Sequence, residues 1–236
     1  MASVKQIILL LVGCAVLIAG LVWWNNFTNP AAQNELLLSE EGGVAESIAP
    51  LTEVENDVIN PEITNTMNPK AVFTTNQGTF ELELFADQMP ITTGNFISLI
   101  EDGFYDGTKF HRVIDGFMIQ GGDPNSKGDD VMTYGTGGPG YAIEDEHVAG
   151  ENLSNTRGTI SMANSGPNSG GSQFFINVAD NVYLDFDKEP LQSKHPVFGQ
   201  IVSGMDIIDA ISKTQTGPRD VPLEPIIVES VTLASS

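Results

Sequence analysis

Residues Phe110–Asp123 read FHRVIDGFMIQGGD, and the rest of the chain is best read outward from them. Two strand-like runs, Lys109–Ile114 and Phe117–Gln120, flank a turn at Asp115-Gly116. Arg112 and Gln120 sit in those runs among Val113, Ile114, Phe117, Met118 and Ile119. Arginine and glutamine are rarely buried without partners, so strands that carry them beside Phe and Met imply a groove half apolar and half polar. A second stretch, Ala163–Phe175 (ANSGPNSGGSQFF), again combines Asn and Gln with a pair of Phe. In a strand, Phe174 and Phe175 must face opposite sides, so one belongs to a core while the other lines a groove. Together the two stretches describe a site that grips an apolar group and addresses its carbonyl with fixed donors. Taken singly the residues are bland: Arg112 as an ion-pair partner, Gln120 as a strand-edge polar residue, the phenylalanines as core.

The neighbouring sequence supplies a barrel for this groove. Ala71–Thr75 and Thr79–Phe85 flank Asn76-Gln77-Gly78 as a β-hairpin, with Leu82 and Leu84 alternating with Glu81 and Glu83. Pro90 opens a helix whose core stripe is Phe96, Ile97, Leu99 and Ile100, and Gly103 ends it. Further strand-like runs are Gly158–Met162, Gln173–Val178 and Val197–Val202; Met205–Lys213 reads as a second helix. Pro225–Leu233 reads as a last strand with period-two alternation. Many strands, two short helices and Gly-rich connections predict a mainly β fold, a closed or nearly closed antiparallel barrel capped at its ends.

The chain has 236 residues and a formal net charge of -21, with 31 Asp+Glu against 10 Lys+Arg. Nucleic acid is excluded as a partner, because there is no cationic surplus to displace counterions. The single cysteine, Cys14, excludes an internal disulfide and any Cys-based metal site. Ile7–Trp24 is a run without charge, preceded by Lys5 and closed by Trp23 and Trp24. Its 18 residues span about 27 Å as a helix, close to a hydrocarbon core's thickness. The flanks fit an N-in anchor with an interfacial aromatic belt. A cleaved signal peptide is the alternative, although its apolar region is normally shorter. Leu11-Val12-Gly13-Cys14 is similar to a lipoprotein processing box, but more apolar sequence follows it. Each reading puts the remainder outside the cytoplasm, anchored or secreted. Residues 25–69 are rich in acidic residues and prolines and read as a disordered tether. The expected organisation is therefore an anchor or signal at 1–24, a linker at 25–69 and a globular domain at 70–236.

Other chemistry falls away. Gly166–Gly171 lacks the Gly-Lys-Ser/Thr ending of a phosphate loop. Asp123-Pro-Asn-Ser-Lys-Gly-Asp begins like a calcium loop but puts Lys127 and Tyr134 at ligand positions. His111, His147 and His195 have no metal-ligand spacing, and Ser161, Ser165 and Ser172 lack a nucleophile elbow.

FHRVIDGFMIQGGD, followed in order by MANSGPNSGGSQFFI and HPVFG, resembles the cyclophilin-type peptidyl-prolyl isomerases over roughly Val72–Leu233. The resemblance implies a closed eight-stranded antiparallel barrel capped by two helices. It does not cover the apolar run or the linker; together with that run, the chain is expected to be a membrane-anchored, prokaryotic-like member. The resemblance also implies isomerisation of X–Pro bonds in proline-containing polypeptides, without cofactor or metal. Arg112 matches the family's essential arginine, Gln120 the residue that holds it and binds substrate, and Asn164 a backbone contact to substrate. Phe117, Met118, Phe175 and Leu184 match the pocket for the proline ring, with His195 at its edge, Ala163 beside it and Gln173 in the groove. A peptide-docking chaperone or scaffold of the same fold, with incidental turnover, is the rival reading.

The departures from the family pattern lie at the rim. Tyr183 stands where the cyclosporin-sensitive members carry tryptophan, so weak cyclosporin binding is expected. Asp115 replaces a common proline at a turn, and Asp185–Lys194 is longer than the usual link. Asn26-Phe-Thr and Asn152-Leu-Ser fit glycosylation triplets.

Overall fold

A computed structural model describes residues 68–150, 152–188 and 194–234. The expected anchor, nearly all of the linker and the middle of the loop after Leu184 lie outside the described residues. Among those described, no helix is long and apolar enough to cross a membrane.

Strands β1 (Lys70–Thr75) and β2 (Gly78–Leu84) form the expected hairpin, in register from Lys70↔Glu83 to Thr75↔Gly78. Phe73 and Phe80 oppose one another there and stack at 4.9 Å. Helix α1 (Pro90–Glu101) begins on proline, whose fixed φ suits the first helical position. It has no local side-chain cap. Instead the buried carboxylate of Glu146 accepts from the backbone N–H of Ile91 (3.0 Å) and Thr92 (2.8 Å). Gly103 ends the helix at φ 63°, returning its N–H to the Ile100 carbonyl.

The remaining elements are β3 (Arg112–Ile114), β4 (Met118–Gly121), β5 (Thr159–Met162), β6 (Phe174–Asn177), β7 (Val197–Ser203), α2 (Met205–Ser212) and β8 (Val228–Leu233). All eight strands pair antiparallel in the order β3-β4-β6-β5-β7-β2-β1-β8. Closure differs from the expected barrel. β3 and β8 share no ladder; the segments leading into them meet at one bridge, Lys109↔Ile227. There Phe110 donates to the Ile226 carbonyl (3.0 Å) and Val228 to that of Thr108 (2.8 Å). This diversion of backbone groups explains why β3 starts at Arg112 rather than Lys109. The sheet curls round an aromatic core that includes Phe73, Phe96, Tyr105, Phe110, Phe174 and Phe198.

The alternation expected along Pro225–Leu233 is also broken. Thr74 pairs with Ser230 but Thr75 with Val228, so Glu229 bulges out. Val228 and Val231 consequently both face the core, although three positions separate them.

Candidate active site

Residues directly opposite in neighbouring strands share a face of the sheet. Arg112 pairs with Gln120, Gln120 with Phe175, and Phe175 with Ser161. One row of outward side chains thus crosses β3, β4, β6 and β5. A second row, two residues along, holds Ile114, Met118 and Asn177. The residues between them, Val113, Ile119, Ile176 and Ile160, turn inward to the core. Register alone brings Arg112 and Gln120 beside Phe175 and Met118 of the apolar pocket.

Phe175, Met118 and Leu184 form a small buried cluster outside the barrel, with Ile114, Phe117 and Ala163 packed on it. His195 stands edge-on to Phe175, with ring centroids 5.3 Å apart and planes at 84°. Its Nδ1 lies 3.0 Å from the Met162 carbonyl, so Nδ1 carries the proton and Nε2 the lone pair. Burial pushes the His195 pKa below its usual value, against the pull of that carbonyl. Tyr183, half exposed, stacks on Phe117 at 6.4 Å and extends the apolar floor.

The polar half surrounds this floor. Gln120 Nε2 donates to Gln173 Oε1 (3.0 Å), and Gln173 Nε2 donates to the Gly137 carbonyl (2.8 Å). Asn164 Nδ2 donates to the Lys194 carbonyl (2.7 Å). A cavity of about 280 Å³ opens beside Gln120, Ala163, Asn164 and Gln173. A second of about 350 Å³ lies along Arg112, Gln120 and Asp220. The two cavities share Gln120, Gly135 and Thr136 in their walls, so they adjoin at the Gln120 position of the row. Arg112 meets a partner the resemblance did not supply: among the described residues its Nε donates to Asp220 Oδ2 (3.4 Å), while the Gln120 amide nitrogen is turned to Gln173.

Sequence reasoning also missed a buried polar network beneath the pocket. Asn177 Nδ2 donates to Thr159 Oγ1 (2.9 Å), and Asn181 Nδ2 to Asn177 Oδ1 (2.8 Å) and the Phe117 carbonyl (2.9 Å). Asp185 Oδ1 accepts from Asn155 N and Nδ2, both at 2.8 Å, and Asn155 Nδ2 also reaches the His195 carbonyl (3.0 Å). These bonds tie Phe117, Leu184 and His195 to the sheet. The available signal was Thr159, Ser161 and Asn177 alternating with buried apolar residues on β5 and β6. Of the long loop, Asp185 turns inward and Phe186 stacks on His147 at 5.3 Å.

The family model described as cyclophilin type peptidyl-prolyl cis-trans isomerase/CLD matches residues 70–233. The chain belongs to this family. It is 44% identical over 159 residues to a peptidyl-prolyl cis-trans isomerase of Arabidopsis thaliana, covering 67% of this chain and 92% of that protein. Peptidyl-prolyl cis-trans isomerase B of Escherichia coli is 44% identical over 170 residues, 69% of this chain and 98% of its own. Among solved structures, a cyclophilin-type isomerase of Cryptosporidium parvum in the presence of the dipeptide Ala-Pro superimposes with a TM-score of 0.61 at 31% identity. That match covers 71% of this chain and 99% of the other. This cyclophilin is accordingly an enzyme, a peptidyl-prolyl cis-trans isomerase.

Proposed function

We propose that this cyclophilin isomerises X–Pro bonds through the Arg112 guanidinium. The amide barrier is about 20 kcal/mol and comes from resonance. Catalysis therefore needs neither nucleophile nor proton shuttle, only stronger binding of the twisted amide than of the planar one. In the twisted form the prolyl nitrogen regains its lone pair. Arg112, charged at any physiological pH, donates to that nitrogen and to the substrate carbonyl. Phe117, Met118, Phe175 and Leu184 hold the proline ring, with Ala163, Tyr183 and His195 around it; Gln120, Asn164 and Gln173 bind the peptide chain. The observation carrying this reading is the in-register row Arg112–Gln120–Phe175 beside the Met118–Leu184 cluster. Removing one such donor costs about 100- to 1,000-fold in turnover. Arg112→Ala is expected to fall by that factor in a protease-coupled prolyl-peptide assay while keeping its circular dichroism; unchanged turnover would refute the assignment.

We infer that the substrates are exported proteins. Ile7–Trp24 would anchor the chain, residues 25–69 would tether it, and residues 70–236 would work outside the cytoplasm, as in a membrane-bound prokaryotic-like member. The apolar run with Lys5 before it and two tryptophans at its end supports this. Intact mass of protein from its native membrane tests it. The full chain mass is expected; loss of the first residues or a lipid on Cys14 would overturn the uncleaved anchor.

A further inference from the structure

We propose that Asp220 is a positioning residue for isomerisation, holding the Nε edge of Arg112 so that its two Nη groups stay uncommitted. The inference rests on Arg112 as the electrostatic group of the site. Among the described residues, the bond from Nε to Asp220 Oδ2 at 3.4 Å is the one hydrogen bond that Arg112 makes. A guanidinium has five N–H donors in a planar fork, so fixing its Nε edge fixes the plane in which the others lie.

The turn bearing Asp220 is built to hold it in place. Arg219 and Asp220 are consecutive non-glycine residues in the left-handed region, at φ 65° and 59°. Such conformations persist only where the surroundings over-determine them, and they gather at functional sites. The restraints here are explicit. Arg219 donates through Nη1 to the Val131 carbonyl (2.7 Å) and through Nη2 to the Tyr134 carbonyl (2.8 Å). Gly217 N–H closes the turn onto the Val221 carbonyl (2.8 Å), beside a bridge between Thr216 and Pro222. Arg219 is thereby spent on the backbone, and Asp220 is presented to Arg112 along the cleft they share with Gln120. No charge balance of the fold requires this pair: both side chains are about half exposed, at 43% and 46%. An exposed ion pair adds little stability, so the benefit of the strained turn lies in where it places Arg112.

Steady-state isomerase kinetics on Asp220→Ala and Asp220→Asn test the proposal. Asparagine tolerates the left-handed backbone and keeps an acceptor oxygen for Nε. Asp220→Ala is expected to lower kcat about five- to tenfold with KM within about twofold. Asp220→Asn is expected to recover to within about twofold of the parent. In an Arg112→Ala background, Asp220→Ala should cause no further loss, because it acts through the arginine. Asp220→Gly removes the carboxylate while relieving the backbone, and shows the same loss if the alanine variant does not fold. Parental kcat in Asp220→Ala, an asparagine variant as slow as the alanine one, or an equal loss without Arg112 would each overturn the proposal. A parent enzyme whose turnover is indifferent to Arg112→Ala overturns the underlying reading instead.

Discussion

Phe174 and Phe175 are consecutive on β6, yet Phe174 meets Phe73 edge-on at 5.7 Å inside the barrel while Phe175 lies outside it with Met118 and Leu184. The strand's two-residue period separates them. Phe174→Ala should therefore cost about 3–5 kcal/mol of stability, as expected for emptying a packed aromatic site. Phe175→Ala should fold and lose most of its kcat/KM. Urea denaturation beside the coupled assay distinguishes them; equal destabilisation would contradict the two-sided arrangement.

The Asp185 carboxylate ties Asn155 to the segment bearing Leu184. Asp185→Ala strands two buried donors of Asn155, at about 1–3 kcal/mol for each left unsatisfied. With the segment loosened, KM for a prolyl peptide should rise alongside a lowered denaturation midpoint. A variant of parental stability and KM would show the network to be dispensable.

Two histidines make stability depend on pH. His111 is buried with neither ring nitrogen hydrogen-bonded. Burial lowers its pKa and that of His195 from the usual 6.5, against the opposing influence of Asp123 on the first and the Met162 carbonyl on the second. In this window the unfolded chain binds more protons than the folded one, so stability rises with pH. The contribution is complete above the unfolded value of 6.5 and is lost as pH falls through the lower folded values. Melting temperature should decline below about pH 6.5, less so in His111→Gln. A His111→Gln profile parallel to the parent's would assign the decline elsewhere.

Tyr183 lies against Phe117 with its hydroxyl 3.4 Å from Asn181 Oδ1. The resemblance makes this the position of an indole donor in cyclosporin-sensitive relatives. Cyclosporin should bind weakly to the parent and at least tenfold more tightly to Tyr183→Trp, about 1.4 kcal/mol by calorimetry. Tight binding to the parent would contradict this.

Glu146 caps α1 from a loop more than fifty residues away. Glu146→Ala leaves the Ile91 and Thr92 amides without acceptors and should cost about 1–2 kcal/mol. Circular dichroism melts would detect it; an unchanged midpoint would mean that water replaces the cap.

Much of this architecture was legible because strand patterning is local. The hairpin at Asn76-Gln77, the helix opened by Pro90 and ended by Gly103, and the opposed faces of Phe174 and Phe175 follow from side-chain period and backbone preference. What failed depended on distant backbone. The bulge at Glu229 exists because β8 pairs with Thr74 and Thr75, and the short seam of the barrel because Thr108 and Phe110 bond to the approach to β8. Neither partner is visible in the local pattern. Asp220 was missed for the same reason: it lies 108 residues from Arg112, in the connection between α2 and β8.

By itself the sequence determined the chemical inventory of the site: a permanent cation at Arg112, an amide at Gln120 and an apolar grip at Phe117, Met118 and Phe175. Those identities and their alternation are local properties, set by side-chain chemistry and the two-residue period. Only the tertiary structure decided which groups meet. Sheet register aligned Arg112, Gln120 and Phe175 in one row. Long-range hydrogen bonds then set Asp220 against Arg112 and Asp185 beneath the pocket. Pairing over such separations is fixed by the summed burial and hydrogen bonding of the whole barrel, which no single segment encodes.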